Sequence, residues 1–374
     1  SALASSFILD PELGDMRDCA VSQSNRGVQQ IQHRAHNLHR APLANLSLAL
    51  CLLVLPTAAA FTMSASAPLK LTAQVAVTGA TGRLGREAVQ QLSAAGKSVR
   101  CLLRHPIDNV TPPKELSKSS TSPEIAAYLA SLPGVTMVPG EVTDPASVSK
   151  LLEGCTSVLA LHGATRRSSL IEAWTDAEDT VPNHAKQVNY YGVKNIIDAC
   201  QADGATCKRI VRITGKGEAP WQLFTVLINM LGGMAKGWNY EGEELLRKAN
   251  PPVDYTIIRP GVMGPYEKKE KVFALADNGG DLKVTPVRHA DIASLCISSL
   301  EFPNAARATL TAMHVPPGEG EASYEPLLAK VSADTREYPV SLIEEHKRAV
   351  RTVVSTLFAA VAAVVLKLAM SLMP

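Results

Sequence analysis

The sequence predicts an α/β chain built on a doubly wound parallel sheet. A small C-terminal substrate lobe and a C-terminal transmembrane helix complete it. Three observations lead there. Val75, Ala76 and Val77 form the short apolar run that a strand buried on both faces needs. They run straight into Thr78-Gly79-Ala80-Thr81-Gly82-Arg83-Leu84-Gly85, after which Ala88, Val89 and Leu92 recur at helical spacing. Far downstream, residues 352–373 are apolar or small apart from Ser355, Thr352, Thr356, Ser371 and one charge, Lys367.

The glycines therefore fall where a strand turns into a helix. Gly79 permits the tight turn, Gly82 lets main chain approach a pyrophosphate, and Gly85 lets the helix pack on the sheet. The helix start supplies free N–H groups and a positive dipole end. The expected ligand is a dinucleotide, met by Thr78, Gly79, Thr81, Gly82, Arg83, Leu84 and Gly85. A glycine-rich turn without a ligand is the plain alternative.

The spacing is Gly-x-x-Gly-x-x-Gly, and TGATGRLG resembles the short-chain dehydrogenase/reductase superfamily, within it the atypical, NmrA-like NAD(P)-binding branch. Later segments carry the same resemblance, over about residues 73–315. It implies a Rossmann-like domain.

Strand two is expected over Ser98–Arg104. An acidic residue at its end would bind the ribose hydroxyls of NAD, whereas Arg104 suits the 2′-phosphate of NADP. VRCLLRHP also resembles the family's NADP-preferring form, and Arg83 can add a second cation. NADP is thus expected before NAD, although Arg104 also reads as a solvated strand end. Residues 106–133 read as an irregular insertion with one short helix from Pro123 to Leu132. Strand three leaves through Gly140-Glu141-Val142, where the family has Gly-Asp-hydrophobic against the adenine. By that resemblance Glu141 and Val142 are cofactor residues. Asp144 is expected to cap the helix running to Leu152.

Strand four, Ser157–Leu161, ends at His162 and Gly163, at the sheet's carboxyl edge. His162 reads equally as a contact to the nicotinamide ribose and as a capped loop histidine. The helix Gln187–Cys200 resembles the one beside the family's cofactor. It holds Tyr190-x-x-x-Lys194, but before strand five rather than after it, so the catalytic reading of that pair is set aside. Strand five is Lys208–Thr214, and Thr214 stands where the family places a substrate-binding Ser or Thr. Trp238–Arg247 resembles the branch's Trp-Lys-x-x-Gly-Glu-x-x-Leu-Arg pattern, with Asn239 in place of the lysine. Thr214 and Tyr240 are the catalytic candidates that this leaves. Leu223–Leu231 is strongly apolar, either core or a surface that meets membrane or partner. DYTIIRPG, strand six, is a mark of the branch, with Arg259 expected to shape the substrate cleft and Arg288 and Asp291 expected to be structural.

The remaining properties bound the setting. The net charge of +2 on 374 residues gives no reason to expect nucleic acid. Cysteines at 19, 51, 101, 155, 200, 207 and 296 form no CxxC pair, which argues for reduced thiols and against a disulfide framework or a metal site. Residues 1–61 read as a targeting presequence with an uncharged h-region at 43–60, and 62–72 as a transit-like linker; the start is expected at Met16 or upstream of Ser1. A first transmembrane helix is the rival reading of the h-region. Phe61 after the expected cut resembles the bipartite presequences of algal complex plastids, with the secretory pathway as the alternative. The NAD(P)-binding domain is expected over 73–315, a connector over 316–350 that is polar and helix-prone from 321, and a membrane anchor over 351–374. Residues 352–373 would span about 33 Å as a helix, with Lys367 snorkelling near one end. A hydrophobic helix docked on protein is the other reading.

Two functions follow. One is an NADPH-dependent oxidoreductase acting on a small plastid molecule. The other is an NADP(H)-binding scaffold or redox-sensing assembly factor for a membrane, photosynthetic complex.

Overall fold

The computed structural model describes residues 74–371, apart from 106, 108, 109, 118, 176 and 267–271. The expected presequence and linker, 1–72, lie outside the described residues.

Strand β1 (Gln74–Thr78) is buried along Val75–Thr78. Val75 and Val77 enter one core and Ala76 the other, as the two-residue period of a strand requires. Helix α1 (Arg83–Ala94) lays Leu84, Ala88, Val89 and Leu92 on the first core. After β2 (Val99–Leu103), the insertion carries α2 (Ser122–Ala130). Thr121 and Glu124 close a capping box at its start: the Thr121 N–H donates to Glu124 Oε2 at 2.7 Å, and the Glu124 N–H to Thr121 Oγ1 at 3.4 Å. Strand β3 (Val135–Pro139) and α3 (Pro145–Leu152) follow, with Asp144 accepting from the Ala146 and Ser147 N–H groups as the cap. Then come β4 (Cys155–Ala160), the short α4 (Ala177–Thr180) and α5 (Gly192–Gln201), entered through a π-helical turn at Lys186–Tyr191.

Strand β5 (Arg209–Ile213) is followed by α6 (Leu223–Leu231) and α7 (Ala235–Arg247). The chain then forms β6 (Asp254–Pro260), β7 (Val262–Gly264), β8 (Val272–Ala276), β9 (Pro286–Arg288), α8 (His289–Glu301) and β10 (Ala308–Val315). Last are α9 (Glu325–Leu328) and α10 (Ile343–Ser371).

The main sheet has eight strands in the order β3-β2-β1-β4-β5-β6-β10-β8. All neighbours are parallel except β8 on β10. The chain goes outward from β1 to β3, then returns to β4 on the other side of β1. That reversal opens a crevice at the carboxyl ends of β1 and β4, where doubly wound sheets bind ligands. One core lies under α1 and α8, the other under α3, α5 and the end of α7. Segments after β5 add a separate two-stranded sheet, β7 with β9.

The expected connector differs from the helix-prone reading. Only α9 and the first turns of α10 are helical there, and Tyr324, Leu328 and Val331 are buried in the first core. Pro339 stands between α9 and α10 and stops any longer helix. Helix α10 has two parts. His346, Ala349, Val350 and Val354 are buried, and Val350 and Val354 share an apolar cluster with Val226, Met234 and Trp238. Beyond Val354, every described residue is exposed.

Candidate dinucleotide site

The glycine loop closes on itself at the end of β1. Gly79 has φ +70°, and a Cβ on it would lie 2.8 Å from the His162 main chain. A Cβ on Gly85 would lie 2.1 Å from the Gly79 carbonyl, so α1 can approach the loop only without a side chain there. The Gly82 N–H donates to Gly79 O at 3.0 Å, and the Arg86 N–H to Gly82 O at 2.9 Å, which starts the helix. Gly82 is the cap residue and has no side chain, so no cap side chain covers the first N–H groups of α1. These groups and the positive helix end form a cradle that fits a pyrophosphate. Thr81 is half-buried at the rim, Gly82 and Arg83 are exposed, and Leu84 is buried, leaving its main chain for the cradle. Thr78 is buried, its hydroxyl 2.7 Å from His162 Nδ1.

Around the crevice, Arg104 is exposed just past β2 and makes no ion pair among the described residues. Glu141 is exposed. Val142 is buried against Gly192, where a Cβ would lie 3.0 Å from a Val142 methyl. Asn195 Nδ2 donates to the Val142 carbonyl at 3.0 Å and pins this wall. His162 is buried in the wall with its ring on Thr78, and burial together with the Arg212 charge holds it far below its usual pKa. Gly163 is exposed, with open space where a side chain would stand.

Past β5 the arrangement departs from a dehydrogenase centre. The Thr214 hydroxyl donates to Glu243 Oε1 at 2.5 Å. Glu243 also receives Arg259 Nε at 3.0 Å and Arg247 NH2 at 2.7 Å, while Arg259 NH1 reaches Glu218 Oε1 at 2.7 Å. Burial alone would raise the Glu243 pKa, but the Arg259 and Arg247 charges outweigh it and hold the carboxyl at about 2. Asn239, at the lysine position, accepts from Arg212 NH2 at 3.0 Å. The Tyr240 side chain is buried and its hydroxyl donates to the Pro339 carbonyl at 2.8 Å. Lys236 Nζ donates to the Lys216 carbonyl at 2.6 Å. Lys194 is paired with Asp198, and the Tyr190 ring sits edge-on to Trp238, so these two residues serve separate contacts.

The structure therefore brings the glycine loop, Arg104, Val142, His162 and Gly163 to the crevice edge of the sheet. It ties Thr214 and Tyr240 into other contacts. Sequence reasoning missed the buried cluster of Arg212, Glu218, Glu243 and Arg247. Its one signal was the run of charges in Trp238–Arg247, on a segment read for its pattern alone.

A family of NAD(P)H-binding domains matches residues 79–303. The chain belongs to that family. The match agrees with the NmrA-like, NAD(P)-binding branch that the sequence resembles, and the fold is NAD(P)-binding and oxidoreductase-like. It is 27% identical over 214 residues to sanguinarine reductase of Eschscholzia californica, a match covering 49% of this chain and 74% of that one. It is 26% identical over 248 residues to the photosystem II assembly factor Ycf39 of Synechocystis, covering 63% of this chain and 61% of that one. An uncharacterized chloroplastic protein of Arabidopsis thaliana is 25% identical over 258 residues, covering 66% and 71%. Among solved structures, a Bacillus halodurans protein of the NAD-dependent epimerase/dehydratase type superposes with a TM-score of 0.50 at 14% identity, covering 69% of this chain and all of that one.

Proposed function

We propose that this protein is a membrane-anchored NADP(H)-binding scaffold or sensor for a membrane complex, in a plastid. The observation that carries this reading is the commitment of Thr214, Asn239 and Tyr240 to internal partners. A carbonyl reduction needs hydride from the cofactor and a proton from a positioned group. Each of those side chains is spent on the fold. The glycine cradle supports the cofactor reading, with Thr78, Gly79, Thr81, Gly82, Arg83, Leu84 and Gly85 around the pyrophosphate. In this reading Arg104 and Arg83 pair with the 2′-phosphate, and Glu141, Val142, His162 and Gly163 line the rest. Similarity to an assembly factor and to chloroplastic proteins supports the setting. The apolar, exposed end of α10 supports the anchor.

A second reading has its own support in the reductase relative. Here the bound cofactor would supply hydride to a small plastid molecule that is already cationic or strongly electrophilic. Such an acceptor needs no proton from the protein. Full-length protein in detergent, titrated with NADPH and then offered quinones and cationic heteroaromatics, separates the two. Binding without oxidation of NADPH is the expected result, and saturable oxidation by one acceptor class would favour the reductase.

A further inference from the structure

We propose that α6 and the turn at Leu170–Trp174 form a collar embedded in the lipid headgroup layer around α10. The domain then rests on the bilayer rather than hanging from a tail. This rests on the reading of α10 as an anchor and adds a second membrane-binding surface to it.

Helix α6, LFTVLINML, carries no charge. Its inner side buries Thr225, Val226 and Asn229. Its outer side exposes Leu223 (79%), Phe224 (53%), Leu227 (47%) and Leu231 (53%), with Trp221 (52%) just before it. The turn at Leu170–Trp174 exposes Ile171 (66%) and Trp174 (45%). Water penalises such a cluster of large apolar side chains, and contiguous patches of this kind mark an interaction surface.

What covers the cluster follows from its place. Both elements abut α10 in its last covered turns. Val226 and Met230 of α6 pack with Val350 and Val354. Asn229 Nδ2 donates to His346 Nδ1 at 2.9 Å, and Arg351 Nε donates to the Ala173 carbonyl at 2.7 Å. The turn itself is braced by Arg166, whose guanidinium makes two 2.7 Å bonds to Glu172.

Length then sets the depth. The uncharged stretch between Arg351 and Lys367 is residues 352–366. As a helix it rises only about 22 Å, against about 30 Å of hydrocarbon. A span that short keeps both flanking cations near the hydrocarbon boundary, where they can snorkel. Arg351 is bonded to the turn at Leu170–Trp174, so that turn lies in the same layer. Tryptophans and aliphatic side chains at that level form the interfacial belt typical of membrane proteins.

The test uses tryptophan fluorescence of the full chain in phosphatidylcholine vesicles containing lipids with quenchers at the headgroup or along the acyl chain. The chain has three tryptophans, at 174, 221 and 238, and Trp238 is buried inside the domain. Headgroup-proximal quenchers should quench the wild type, and W174F/W221F should lose most of that quenching. Leu223→Glu with Leu227→Glu should lose it partly, with far-UV circular dichroism unchanged because both positions are exposed. Carbonate extraction of the same vesicles reads the anchor separately. Carbonate-resistant protein whose quenching is the same in wild type and W174F/W221F would overturn the collar and leave the anchor standing. Protein released by carbonate would remove the anchor and the collar together.

Discussion

In the proposed dinucleotide site, Gly82 would supply shape and Arg104 charge. At Gly82 the backbone is extended, a conformation any residue adopts, so its value lies in the missing side chain beside the open end of α1. Gly82→Asp would put a carboxylate among N–H groups meant for phosphate. Dinucleotide binding by isothermal calorimetry should fall below detection, with the fold intact by circular dichroism. Unchanged affinity would remove the cofactor assignment. At Arg104 the expectation is selective. Losing a charge-assisted bond to a 2′-phosphate costs about 1.5–3 kcal/mol, or roughly ten- to a hundredfold in NADP affinity, and NAD affinity should barely change. Equal losses for both cofactors would refute the 2′-phosphate role.

Among the elements, α7 carries the most charge into the interior. Glu243 is fully buried between Arg259 of β6 and Arg247 one turn along its own helix. Glu243→Gln removes the anion that the two guanidiniums share and leaves Arg259 with Glu218 and Arg247 with Glu244. Breaking a buried pair in this way costs about 3–5 kcal/mol, and a urea midpoint should report it. The same carboxylate gives a pH dependence of known sign. Its folded pKa of about 2 lies below the ordinary 4.5, so its stabilisation is complete above 4.5 and is lost as pH falls from there towards 2. Stability of the wild type should fall over that window, and Glu243→Gln should flatten the fall. Glu172, also held at about 2 by its bonds to Arg166, contributes less because water screens that pair.

At the scale of the whole molecule, α10 divides into a covered part and an exposed apolar part. The first turns of α10 complete an apolar cluster with α6 and α7, while residues 355–371 are exposed. Deleting residues 355–374 spares Val350 and Val354, so the domain should keep its melting temperature within about 2 °C. Carbonate-resistant membrane association should disappear. If it persists in the truncated chain, α10 is not the anchor. Dinucleotide binding should be the same before and after the deletion, because the crevice is built by β1–β4 and α1.

The sequence by itself determined the devices that act along a few consecutive residues. The β1–glycine loop–α1 unit was legible because a positive φ and a missing Cβ leave a signature in residue type. The cap at Asp144 was legible because its partners lie within three positions. The apolar end of α10 was legible because its length and lack of charge need no partner to be seen. Only the tertiary structure decided what Thr214, Asn239 and Tyr240 do, since their partners Glu243, Arg212 and Pro339 come from other elements. It also decided that Glu243 and Arg259 are interior. A charged residue reads as solvated until a distant counter-charge is folded against it, and in this chain that folding also brings Glu243 within hydrogen-bond reach of Thr214, a catalytic candidate of the sequence.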